Sequence, residues 1–130
     1  MDRIIDANFN RAKEGLRVCE DICRFCFNKP ELTKKFKAVR HHLTEAISRL
    51  KLKKLIQARD IENDVGKASN LTELKRKSIA DIFYANIQRV KESIRVLEEF
   101  SKLRNVQVAQ NLKGLRYQVY ALEKKVVNQL

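Results

Sequence analysis

Apolar residues recur every three or four positions along most of the chain, the period of helices that turn one face to a core. From about Asp2 to Phe27 that stripe is Ile5, Phe9, Ala12, Leu16, Cys19, Cys23 and Cys26, and Asn28-Lys29-Pro30 stops it. Proline disfavours helical geometry in the residue before it. A second helix is expected from Glu31 to about Leu55, with Leu32, Phe36, Val39, Leu43, Ala46, Ile47 and Leu50 as its apolar side. The period fails between Gln57 and Asn70. It resumes from about Ile79 to Leu103, after Ser78 as a cap, and again from about Gln107 to Asn128. Asn70 or Thr72 is placed to cap a short turn before the third long helix. The expected architecture is all-α: two long helical hairpins, about 1–56 and 71–130, joined by an irregular loop at 57–70, within one domain of 1–130.

The hairpins look like copies. Ala7 to Glu20 aligns with Ala85 to Glu98 at an offset of 78, with eight of fourteen positions identical. Shared amphipathicity accounts for the apolar matches, but not for Asn, Arg, Glu and Arg in register. Lys37-Ala38-Val39-Arg40 echoes Lys113-Gly114-Leu115-Arg116 more faintly. Duplication implies a four-helix arrangement with a pseudo-twofold axis. Asn8 and Asn86 fall on the core side of their helices, and a buried unpaired amide costs about 1–3 kcal/mol. Either the two asparagines pair across the axis, or they line a polar pocket between the first and third helices.

Composition narrows the class. Three glycines and one proline leave few turns, which excludes a β sandwich. The net charge of +12 favours anionic partners without choosing among them. Cys19, Cys23 and Cys26 share the apolar face and read as small buried hydrophobes, so a cytoplasmic location is expected. No apolar run approaches a membrane span.

Several chemistries are set aside: no Gly-rich phosphate loop, no nucleophile turn, and an adjacent His41-His42 pair that does not suit zinc. What remains are arginine forks suited to phosphate oxygens and carboxylates suited to Mg²⁺. The loop at 57–70 is rich in Arg, Asp and Gly, and loops of that length are more often functional than idle.

Arg3-Ile4-Ile5-Asp6-Ala7-Asn8-Phe9-Asn10-Arg11-Ala12-Lys13-Glu14-Gly15-Leu16-Arg17-Val18, with Glu20-Asp21 and Arg24-Phe25, resembles the start of the hydroxymethylpyrimidine-phosphate kinases that are unrelated to ribokinase-like enzymes. Lys37 to Leu43, Arg59-Asp60 with Asp64-Val65-Gly66, the stretch from Ala85 to Glu99, and Leu115-Arg116-Tyr117 through Lys124 agree with the same family. In that family the domain often precedes thiamine-phosphate synthase in one chain. The sequence stops where such a synthase would begin, so a stand-alone kinase or a piece of a fusion is expected. The resemblance implies transfer of the γ-phosphoryl of ATP to 4-amino-5-hydroxymethyl-2-methylpyrimidine phosphate, with Mg²⁺. On this reading Arg11, Arg89, Arg59 and Asp60 are catalytic. Asn8, Glu14, Arg17, Arg40, His41, Asp64, Gly66, Asn86, Glu92 and Arg95 bind substrate or nucleotide, and Asp21, Asp60, Asp64 and Glu99 hold the metal. Arg59, Asp60, Asp64 and Gly66 are expected to form a loop over the nucleotide phosphates. The expected partners are the pyrimidine phosphate, ATP and a thiamine-phosphate synthase domain or subunit. Neither nucleic acid nor membrane is expected, and a homo-oligomer is left open. The rival readings are a basic nucleic-acid-binding module and a non-catalytic assembly domain.

Overall fold

A computed structural model describes all residues from 1 to 130. It is helical throughout: α1 (Asp2–Asp21), a π-helical turn (Ile22–Cys26), α2 (Pro30–Ser48), α3 (Leu52–Gln57), α4 (Ile79–Ser101) and α5 (Val106–Val127). Pro30 opens α2 at a position where its missing N–H costs nothing. Ser78 Oγ accepts from the Asp81 N–H at 3.1 Å and caps α4. Asn105 Oδ1 caps α5 in the same way through the Val108 N–H. Asn70 Oδ1 accepts from the Glu73 N–H at 3.0 Å, capping the expected short turn.

The four long helices form a ring in which each packs antiparallel to its neighbours, in the order α1, α4, α5, α2. Antiparallel packing of α1 on α4 follows from two contacts. A Cβ placed on Gly15 would stand 2.7 Å from Val90 Cγ2 and 3.0 Å from the Asn86 carbonyl oxygen. Arg104, just beyond α4, pairs with Asp2 at the start of α1. Gly15 is thus where the two backbones come closest, and only a hydrogen fits there. Its repeat counterpart, Ser93, is also small and buried.

This topology explains the long connection. α2 ends beside the start of α1, whereas α4 starts at the opposite end of the bundle. The chain must climb the length of a helix, about 34 Å for the 23 residues of α4. Helix α3 packs on α1 and begins the climb.

Four expectations need correction. The first helix changes to π geometry at Ile22, and this wider turn slips the 3.6-residue register. Cys26 therefore leaves the apolar face and is exposed, while Cys19 and Cys23 stay buried. The second helix is broken at Arg49–Lys51, where Lys51 adopts φ 64° without being glycine. The helix-free stretch runs from Ala58 to Ser78 rather than ending at Asn70. Finally, Asn8 and Asn86 do not pair with each other. Each donates its amide N–H to the carbonyl one turn earlier, Ile4 at 2.9 Å and Ile82 at 2.8 Å.

Candidate functional site

Burial of charge is the first clue to where the polar chemistry sits. The buried charged residues are Asp6, Glu20, Glu98 and Arg116. Glu20 accepts from Arg40 Nε at 2.9 Å, and Glu98 accepts from Arg116 Nε at 2.9 Å. These pairs occupy equivalent places in the two repeats and tie each hairpin together. Arg40, expected to hold a phosphate, is instead committed to Glu20 and only 16% exposed along its side chain. Glu98 holds the Arg116 guanidinium still more firmly in its charged form, helped by a bond to Tyr120.

Asp6 has no counterpart in the second repeat, where Tyr84 stands at its position. Asp6 is 4% exposed and accepts two hydrogen bonds from Arg59, Nε to Oδ2 at 2.7 Å and Nη2 to Oδ1 at 2.8 Å. That bidentate fork pins the segment after α3 onto α1. The contact raises the Arg59 pKa above its ordinary value, chiefly through the hydrogen bond to Asp6. Arg3 adds a second tie, donating from Nη2 to the Asp60 carbonyl at 3.1 Å.

Between α1 and this segment lies an open cleft of about 560 Å³. That volume suits a small-molecule ligand. Its charged walls are Arg3, Arg11 and Arg59 against Asp6, Asp60 and Asp64, with Asn8 and Asn10 between them. Asp6 and the Nε and Nη2 of Arg59 satisfy each other, so the groups free to meet a ligand are Arg3, Arg11, the outer Nη1 of the half-exposed Arg59 and two loop carboxylates. Asn63 donates to both oxygens of Asp60 through its N–H and its side-chain amide. Those bonds hold the Asp60 carboxyl below its ordinary range, the side-chain bond most of all. Asp64 Oδ1 accepts from the Gly66 N–H at 2.9 Å, closing a tight turn.

The structure brings together Asn8, Arg11, Arg59, Asp60 and Asp64, with Gly66 just beyond the rim. It does not bring the second repeat into that cleft. Asn86, Arg89, Glu92 and Arg95 lie on α4, outside it. Glu14, Arg17 and His41 are exposed elsewhere on the first hairpin. Arg17 approaches Asp21 to 3.4 Å, and Arg95 approaches Glu99 to 3.4 Å, two ion pairs at repeat-equivalent positions. Lys102 holds the Glu99 carboxyl below its ordinary range. Of the four carboxylates expected to bind metal, Asp60 and Asp64 share the cleft and Asp21 and Glu99 do not. No group of three metal-binding side chains converges anywhere in the chain. Two carboxylates nevertheless suit Mg²⁺, which takes few protein ligands when phosphate oxygens complete its shell.

Asp6 and Arg3 were absent from the expected site residues. The signal for Asp6 was available, since it is an acid beside the apolar stripe at a position that breaks the repeat. What the pattern did not supply was its partner, 53 residues away.

No helix of the chain is long and apolar enough to cross a membrane. Relatives named thiamine-phosphate synthase match nearly the whole chain. One from Synechocystis sp. is 43% identical over 122 residues, covering 93% of this chain and 34% of the relative. One from Nostoc punctiforme is 41% identical over 126 residues, 96% and 35% respectively. One from Rhodopirellula baltica is 38% identical over 120 residues, 92% and 32%. The chain thus spans about a third of the length of the curated relatives it matches. No solved structure matches it. The ThiD2 family profile covers residues 3–125, and the chain belongs to that family.

Proposed function

We propose that the chain is an ATP-dependent phosphotransferase of the thiamin pathway, acting in the cytoplasm on hydroxymethylpyrimidine phosphate. An oxygen of the acceptor phosphate attacks the γ-phosphorus of ATP. The bond to the β–γ bridging oxygen breaks, ADP leaves, and the pyrimidine diphosphate forms. The acceptor oxygen is already ionised near neutral pH, so the reaction needs positioning and charge neutralisation rather than a strong base. The observation that supports this reading is a cleft that presents Arg3 and Arg11 beside Arg59, whose inner edge is held by buried Asp6 so that its Nη1 is fixed at the cleft wall. Asp60 and Asp64 would hold Mg²⁺, which supplies neutralisation of phosphate charge. Family membership and the synthase name of the relatives agree with a thiamin-pathway role.

A coupled ADP-release assay tests the proposal, run with the pyrimidine monophosphate and its unphosphorylated form in parallel. ADP release that depends on the monophosphate is expected. Arg59→Ala and Arg11→Ala should each lower kcat/KM about 100-fold or more, the scale for removing a positioned phosphate clamp. A larger loss in Arg89→Ala than in Arg11→Ala would move the site to the α1–α4 seam. Absence of ADP release with either pyrimidine would leave a non-catalytic assembly domain as the better reading.

A further inference from the structure

The connection between α3 and α4 carries more than its topology requires. Every residue from Ile61 to Ile79 is exposed. Ile61 is 71% exposed, Val65 104%, Leu71 78% and Leu74 71%. A connector that merely climbs the bundle has no use for large aliphatic side chains in water. Both ends of the segment are fixed. Arg59 holds the lower end to Asp6, and at the upper end the Lys77 N–H donates to Asp81 Oδ2 at 2.9 Å beside the Ser78 cap. Ile61 and Asp64 already form part of the cleft wall, so the segment stands next to the ligand space rather than elsewhere on the bundle. Lys67 follows directly. Its ammonium makes a single polar contact, 3.4 Å to the Glu62 carbonyl, and no ion pair.

We propose that residues 61–78 are a closing strap: when a phosphate-bearing ligand fills the cleft, the strap folds onto α1, seats Ile61 and Val65 over the ligand and places Lys67 on its anion. The exposed aliphatic groups are then the closed state's contacts, left in water while the cleft is open. Burying one such side chain shifts the closing equilibrium by about tenfold or more. Lys67 adds a cation carried by the connector itself to the arginines Arg3 and Arg11, which come from α1. The inference takes its ligand, MgATP with the pyrimidine phosphate, from the function proposed above, but its geometry stands without that assignment.

The chain contains no tryptophan, so Val65→Trp creates a single tryptophan, excited selectively over the three tyrosines at the red edge of absorption, at a fully exposed position. On adding MgATP, alone and with the pyrimidine phosphate, the emission should shift to the blue and acrylamide quenching should fall. Trypsin cleavage of the unaltered chain at Lys67, Lys75, Arg76 and Lys77 should slow in parallel. Val65→Ser and Ile61→Ser should leave the ligand-free Tm unchanged, because those side chains are already in water. They should raise KM about tenfold or reduce the ligand-induced rise in Tm. Lys67→Ala should raise KM without altering the ligand-free Tm. ADP release is followed on the same samples. Turnover with unchanged emission and unchanged proteolysis overturns the strap and leaves the kinase standing. Closure on MgATP without turnover supports the strap and overturns the kinase. No closure and no turnover overturns both.

Discussion

The Arg116–Glu98 clamp offers a measurable test of how each hairpin is held. Arg116 Nε lies 2.9 Å from Glu98 Oε2, with the side chains 11% and 5% exposed. Its Nη1 donates to Tyr120 Oη at 2.9 Å, and its guanidinium sits 5.5 and 5.7 Å from the rings of Tyr117 and Tyr120. Arg116→Ala removes a charge-assisted bond of about 1.5–3 kcal/mol and cation–π contacts of about 0.5–1 kcal/mol. It also strands a buried carboxylate, although Arg95 at 3.7 Å from Glu98 Oε1 recovers part of that loss. The expected cost is about 3 kcal/mol, near the lower limit for breaking a buried pair. In urea this moves the midpoint down by about 1.5 M for a slope of about 2 kcal/mol/M. Glu98→Leu alone and Arg116→Met alone should each cost a similar amount. The double variant Glu98→Leu/Arg116→Met should fall within about 1 kcal/mol of the parent, because neither charge is then left unpaired. A double variant whose cost equals the sum of the singles would refute the clamp as an interacting unit.

Gly15→Ala should destabilise by about 1–2 kcal/mol in thermal or urea melts, because forcing a methyl against Val90 and the Asn86 carbonyl outweighs the better helix propensity of alanine. Thiol labelling of the native chain at neutral pH should modify Cys26 alone, and all three cysteines after denaturation. Burial pushes the Cys19 thiol up strongly and Cys23 from 9.0 to about 11. The folded state therefore keeps protons that the unfolded chain releases, and stability should fall as pH rises from about 9 toward 11, a slope that Cys23→Ala reduces. Asp60, with its carboxyl held below the ordinary 3.8, contributes stability above that pH that is lost as the carboxylate protonates, so Asp60→Asn should flatten the acid limb below about pH 4.

The four long helices were legible because each carries an unbroken 3.6-residue apolar stripe ended by an explicit cap or by Pro30. The repeat was legible from Asn, Arg and Glu in register. The break at Lys51 was not, because its left-handed backbone is held by tertiary packing of Leu50 and Leu55 and no glycine marks it. The exposure of Cys26 follows from a π turn that leaves the apolar spacing intact in one dimension. The placement of the cleft was half legible. Asn8, Arg11, Arg59, Asp60 and Asp64 were all among the expected residues and line one cleft, but symmetry suggested a wall shared by both copies. The crossover breaks that symmetry, since α3 packs on α1 and Arg59 finds an acid only in the first copy.

The way the chain is threaded also orders its assembly. Each clamp joins residues only 20 or 18 apart, so either hairpin can close through local contacts before the other is complete. The α1–α4 seam joins residues some 75 apart and must wait for the second hairpin. The first hairpin therefore emerges with the flat stripe of Asn8, Ala12 and Gly15 uncovered. The long connector serves there as a tether, keeping the second hairpin close enough to dock while leaving it free to turn. On this view clamp substitutions act on hairpin formation, and Gly15 substitutions act on the later docking step.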